Sequence, residues 1–148
     1  MKKQNLLVSA CLLGVCCRYD GQSKPHPEVI KLREKFVLIP ICPEVDGGLP
    51  TPRSPSERVG DRVMMRDGRD VTENYRSGAE SALERAKSFG CVAALLKARS
   101  PSCGSGAIYD GSFSGESVAG RGVCAELLIS EGISVFCESD IEKLLKKD

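Results

Sequence analysis

The chain has 148 residues, of which 41% are hydrophobic, with 21 basic and 20 acidic side chains and a formal charge of +1. Those values suit one ordinary domain around a single core and leave no basic footprint for nucleic acid or a membrane surface. No apolar run approaches the roughly 18 residues that suggest a membrane span. The N-terminal lysines precede a run only a strand long, so this end reads as neither signal peptide nor anchor, and the protein is expected in the cytoplasm.

Residues 5–10 form a short, continuous apolar run, the signature of a strand buried on both faces of a parallel sheet, and Cys11 closes it. A turn-rich loop through Cys16, Cys17 and Asp20 leads to a short helix over 28–35. Pro27 suits its first turn, and His26 reads as a surface or capping residue. Residues 36–41 make a second strand, which Pro40 places at an edge or brings to an end.

Residues 42–57 carry four prolines and two glycines, so the segment reads as an ordered or lid-like loop without a helix or a central strand. A small exposed ribbon then pairs 62–65 with 70–72 around an Asp67-Gly68 turn. Ala79, Ala82, Leu83, Ala86 and Phe89 recur at helical spacing and predict a helix over 73–89, with Asp70 or Thr72 as its cap and Gly90 as its stop. Residues 91–98 are a third strand, 104–122 a glycine-rich connection, 123–131 a helix ended by Gly132, and 133–136 a fourth strand. Ser139-Asp140-Ile141-Glu142 is a capping box that opens a final helix. This order predicts an α/β fold over 1–148: a single-domain three-layer sandwich with a mainly parallel sheet, helices on both faces and a small β-ribbon insertion.

Eight cysteines are many for a chain without an export signal, and in a reducing compartment metal binding or catalysis explains them better than disulfides. No two have the two-residue gap of zinc ribbons, so a metal site must be assembled from distant segments. In a parallel sheet the carboxyl ends of the strands share one edge, where ligands bind. Cys11, Cys42 and Cys103 all stand at or just past such an end. Cys103 lies in the Ser100-Pro101-Ser102-Cys103-Gly104-Ser105-Gly106 turn, whose backbone N–H groups can receive negative charge. Cys91 precedes its strand and Cys124 sits among apolar helix residues, so both read as structural. Cys137 ends the fourth strand and reads as a buried strand-end residue rather than a ligand. Cys16 and Cys17 are not read as primary ligands. Three soft thiolates without histidine favour an iron–sulfur cluster, or zinc, over a hard cation. A cubane cluster held by three thiolates would keep one iron open for chemistry.

The motifs Ser9-Ala10-Cys11-Leu12-Leu13-Gly14, Cys17-Arg18-Tyr19-Asp20-Gly21, Cys42-Pro43-Glu44, Gly47-Gly48-Leu49-Pro50-Thr51-Pro52-Arg53 and Ser100-Pro101-Ser102-Cys103-Gly104 resemble, in order, those of the thiouracil desulfidase family. The resemblance implies a [4Fe–4S] cluster on Cys11, Cys42 and Cys103, with its free iron binding the sulfur of a small thiocarbonyl substrate. It implies loss of sulfur from thiouracil to leave uracil without net redox change. It also implies that Glu44 and Ser100 serve the substrate and proton transfer. Water must attack the carbon that carried sulfur, so a carboxylate can act as general base and a hydroxyl can orient the reactants. Asp20, Arg53 and Glu57 either line the pocket or tie the long loops together. A second class of function stays open, in which a cluster or zinc protein stores sulfur or senses oxidation through its thiols.

Overall fold

Leu6, Leu7 and Val8 are fully buried, and each contributes about 1.5–3 kcal/mol by leaving water. They sit in β1 (Gln4–Ser9), at the centre of the computed structural model, which describes residues 3–146. β1 pairs in parallel with β2 (Phe36–Ile41) on one side and β5 (Ala93–Leu96) on the other, and β5 pairs in parallel with β8 (Val135–Cys137). The four-stranded order is therefore β2-β1-β5-β8. Pro40 lies in β2 at the edge of the sheet, where its missing N–H breaks no ladder on the open side.

Alternate residues of β1 send their side chains to opposite faces. Leu6 and Val8 pack with Val29, Leu32 and Leu144, which belong to α1 (Pro27–Ile30), the 3₁₀ turn Lys31–Glu34 that continues it, and α5 (Ile141–Lys146). Leu7 packs with Ala79, Ala82 and Ala86 of α3 (Thr72–Ser88) and with Cys124 and Leu128 of α4 (Val123–Ser130). Helices cover both faces, as the three-layer reading expects. The chain leaves β1 toward β2 by way of α1 and leaves β5 toward β8 by way of α4 on the other face. The carboxyl ends of β1 and β5 thus flank the topological switch point, where open α/β sheets hold their ligands.

Four local features differ from expectation. The proline-rich segment does hold a helix, α2 (Pro43–Asp46), because Pro43 occupies its first turn, where no N–H is needed. The ribbon pairs β3 (Ser56–Val59) with β4 (Arg62–Met65), so its turn is at Gly60-Asp61. Asp67-Gly68 makes a second reversal with one bridge between Met64 and Asp70. The glycine-rich connection forms another ribbon, β6 (Ala107–Tyr109) with β7 (Ser117–Ala119). Finally, the last helix is approached through a 3₁₀ turn, Glu138–Asp140, capped by Cys137 and Asp140 rather than by the box at Ser139. His26 does cap α1, accepting the Val29 N–H at its Nδ1 at 3.4 Å.

α3 lies directly on α2. A β-carbon at Gly78 would stand 1.8 Å from the Pro43 carbonyl oxygen, so only glycine permits this approach. The contact presses the turn after Cys42 against the longest helix. Beside it, Leu49, Val63, Met65, Val71 and Tyr75 form a small satellite core between the β3–β4 ribbon and the start of α3.

Candidate active site

Cys11 enters the 3₁₀ turn Ala10–Leu13 directly after β1, and Cys42 is the N-terminal flanking residue of α2 directly after β2. The loop between β1 and α1 folds back so that the buried Cys17 thiol lies beside those of Cys11 and Cys42. The Cys42 Sγ also donates to the Cys17 carbonyl at 3.8 Å. Cys103 follows β5, is 5% exposed, and lies near enough to Cys42 and Glu44 to feel their charge. The strand-end thiols therefore gather at one edge, with Cys17 among them. Cys124 is buried between helix and sheet, and Cys91 lies in the turn before β5. Cys137 is half-buried and contacts Ser139 and Asp140.

Cys17, Cys42 and Cys103 hold their protons tightly. The Cys11 partner and burial push Cys17 up to about 11, and burial pushes Cys103 up to about 12. The Cys17 partner, together with burial, pushes Cys42 upward as well. Each thiolate would lie in low dielectric beside another sulfur, so ionisation of the set calls for a compensating positive centre. An all-sulfur, histidine-free donor set at a sheet edge fits a thiophilic iron–sulfur group. Among the described residues no three ligating side chains already converge on a single metal ion. A polynuclear cluster draws its ligands from a wider span.

The carboxylate of Glu44 lies near the Cys42 and Cys103 sulfurs. Arg53, whose side chain is 2% exposed, donates to Glu44 Oε1 through Nε at 3.1 Å and pairs with it through Nη2 at 3.0 Å. The same guanidinium donates to the carbonyls of Cys17 at 2.8 Å and Pro50 at 3.1 Å. Glu44 Oε2 accepts from the Ser102 hydroxyl at 3.1 Å, and Ser102 Oγ lies 2.9 Å from Ser100 Oγ. Ser100 in turn receives the backbone N–H groups of Ser102 and Cys103, each at 3.1 Å. Such a turn orders Cys103 through a local side-chain-to-backbone motif. The buried Tyr75 hydroxyl stands beside Glu44 and Ser56 with no hydrogen bond of acceptable geometry, and burial and the carboxylate raise its pKa well above that of a free phenol.

The other polar candidates tie loops. Asp20 accepts the Gln22 N–H at 3.0 Å and pairs with Arg18 at 3.6 Å. Buried Glu57 accepts the N–H groups of Gly111 at 2.9 Å and Phe113 at 3.1 Å, which fastens the β6–β7 ribbon to β3. Arg53 joins both roles, since it ties two loops and grips Glu44. Sequence reasoning missed Ser102 and Tyr75. Ser102 lies inside the Ser100–Cys103 motif but presents no distinguishing spacing, and Tyr75 shares the buried face of α3 with Ala79 and Ala82.

Thiols, a clamped carboxylate and a hydroxyl pair at the switch point of a parallel sheet define an α/β domain built for soft-metal chemistry. The model of the 2-thiouracil desulfurase family matches residues 6–140, and the chain belongs to that family. A solved structure of the [4Fe–4S]-dependent thiouracil desulfidase TudS is similar at 47% identity and a TM-score of 0.90, covering 97% of this chain and 96% of that one. The uncharacterised protein YbbK of Bacillus subtilis (strain 168) is 40% identical over 95% of this chain and 99% of its own length.

Proposed function

We propose that this chain is a [4Fe–4S]-dependent desulfidase that removes sulfur from a small thiocarbonyl compound such as thiouracil, giving uracil and sulfide without net redox change. Family membership and the likeness to TudS support this reading. In it, Cys11, Cys42 and Cys103 hold the cluster. When bound, a cluster with three protein thiolates supplies an iron with a free position as a soft Lewis acid for sulfur.

The chain's own residues supply the rest. Glu44 accepts a proton from the water that attacks the thiocarbonyl carbon. Arg53 bonds to Oε1, which keeps the carboxylate in place. Ser100, anchored by two backbone N–H groups, orients the reactants. The observation that carries this assignment is the placement of one carboxylate, gripped at both oxygens, beside the Cys42 and Cys103 sulfurs, which come from two separate strand ends.

The test is anaerobic reconstitution with iron and sulfide, followed by a visible spectrum and an assay of sulfide release from 2-thiouracil. Cys11→Ser, Cys42→Ser and Cys103→Ser each lose most of the cluster absorbance, whereas Cys91→Ser and Cys124→Ser retain it. Glu44→Gln keeps the colour and slows turnover on the order of 100-fold or more. Equal cluster content across all five cysteine variants would overturn the ligand assignment.

A further inference from the structure

Ser102 is 1% exposed, and its hydroxyl lies within hydrogen-bond distance of Glu44, Ser100 and the Cys103 sulfur at once, at 3.1, 2.9 and 3.5 Å. A carboxylate only accepts, and a serine hydroxyl has one hydrogen to give. With Ser102 donating to Glu44 Oε2, Ser100 must donate to Ser102. Both lone-pair sites of Ser100 are then taken by the N–H groups of Ser102 and Cys103. Every hydrogen in the chain from the turn's backbone to Glu44 thereby has one direction.

The carboxylate is held in the same way at both ends. Arg53 occupies Oε1 and Ser102 occupies Oε2, so rotation about the last side-chain bond breaks a hydrogen bond whichever way it turns. From this geometry we infer that Ser102 is a positioning residue, which sets the aim of the Glu44 carboxylate and the orientation of the Ser100 hydroxyl as one unit. It acts through Glu44 and Ser100, and the remaining contact of its hydroxyl is the 3.5 Å approach to the Cys103 sulfur. The inference rests on the reading of Glu44 as the general base. A base aimed by two fixed donors reacts faster than one free to rotate, because orientation is settled before the chemical step.

The decisive experiment compares wild type, Ser102→Ala, Ser102→Thr, Glu44→Gln and the Ser102→Ala/Glu44→Gln double variant, each loaded anaerobically and assayed with 2-thiouracil. Ser102→Ala keeps the wild-type cluster spectrum and KM within about twofold while kcat falls about 10- to 100-fold, the range of one hydrogen bond to a charged group. Ser102→Thr, which retains the hydroxyl, recovers most of that loss. In the Glu44→Gln background, loss of the hydroxyl adds little, because the group it aimed is already gone.

A second readout needs no turnover. In urea unfolding of the cluster-free full-length chain, the midpoint shift of the double variant is smaller than the sum of the two single shifts. Wild-type kcat in Ser102→Ala, loss of its cluster, independent multiplication of the two kinetic effects, or additive midpoint shifts would each overturn the inference. If wild type releases no sulfide while the unfolding shifts are non-additive, the proposed activity fails and the Ser102–Glu44 link stands.

Discussion

Replacing Arg53 with methionine removes the guanidinium and keeps most of the side-chain volume. The lost group makes two contacts to Glu44 and one each to the carbonyls of Cys17 and Pro50, and donates to the Thr51 hydroxyl. Glu44, whose side chain is only 16% exposed, is left with Ser102 as its donor. Removing one partner of a buried pair costs about 3–5 kcal/mol, and the partial exposure of Glu44 puts this case near ~3 kcal/mol. Unfolding entropy of about 2.1 cal/mol/K per residue, taken over 148 residues, turns that loss into a melting point lower by ~10 °C. Arg53→Lys restores charge without the planar fork and recovers roughly half of the loss. Calorimetry of the cluster-free protein measures both shifts. Because the pair is sheltered, the difference from wild type persists in about 1 M salt, where exposed pairs are screened. A methionine variant melting within about 2 °C of wild type would refute the view that Arg53 anchors the two loops and the carboxylate.

Three further perturbations test other joints. Gly78→Ala drives a methyl into the Pro43 carbonyl and lowers stability by about 1–3 kcal/mol in urea, with reduced cluster uptake because the strain falls on the turn holding Cys42. An alanine variant with an unchanged midpoint would show that α2 shifts freely. Glu57→Ala releases the N–H groups of Gly111 and Phe113, and limited proteolysis then cuts within 104–122 roughly tenfold faster; equal cleavage rates would refute the fastening role. In the cluster-free protein the folded chain keeps the Cys17 and Cys103 protons up to about 11 and about 12, whereas the unfolded chain releases them near 9.0. Stability conferred by these thiols is therefore fully present below pH 9 and is lost as pH rises through about 11 for Cys17 and about 12 for Cys103. Denaturant midpoints fall across that window and fall less steeply in Cys17→Ala; a slope identical in the two proteins would rule Cys17 out as a source.

What the sequence made legible follows from how each element is stabilised. β5, and β1 from Leu6 onward, are buried on both faces, so their apolar runs needed no further context. α3 repeats its small apolar residues at helical spacing over many turns. The gathering of Cys11, Cys42 and Cys103 at one edge was legible because parallel strands end on the same side, whatever the details of the loops. Single-turn α2 carries no period, and the Pro43 that opens it looks like a breaker in the one-dimensional string. β6 and β7 are three residues each, and β7 is wholly exposed, so no alternation marks them. Asp67-Gly68 outcompeted Gly60-Asp61 as a hairpin signal because both are turn formers and only tertiary pairing selects between them. Cys17, Ser102 and Tyr75 acquire meaning from neighbours distant in the chain, which no local pattern encodes.

The sulfurs proposed to hold a cluster stand on segments far apart in the chain, after β1, β2 and β5. A nascent polypeptide carries its thiols on segments separated by a helix, a ribbon and α3, so it offers iron no chelating pocket until those three strands have docked. β8, at the rim of the sheet, brings none of the three proposed ligands. Maturation machinery delivering a cluster would meet a receptor already shaped by its polypeptide, and the metal would lock a finished scaffold instead of templating one.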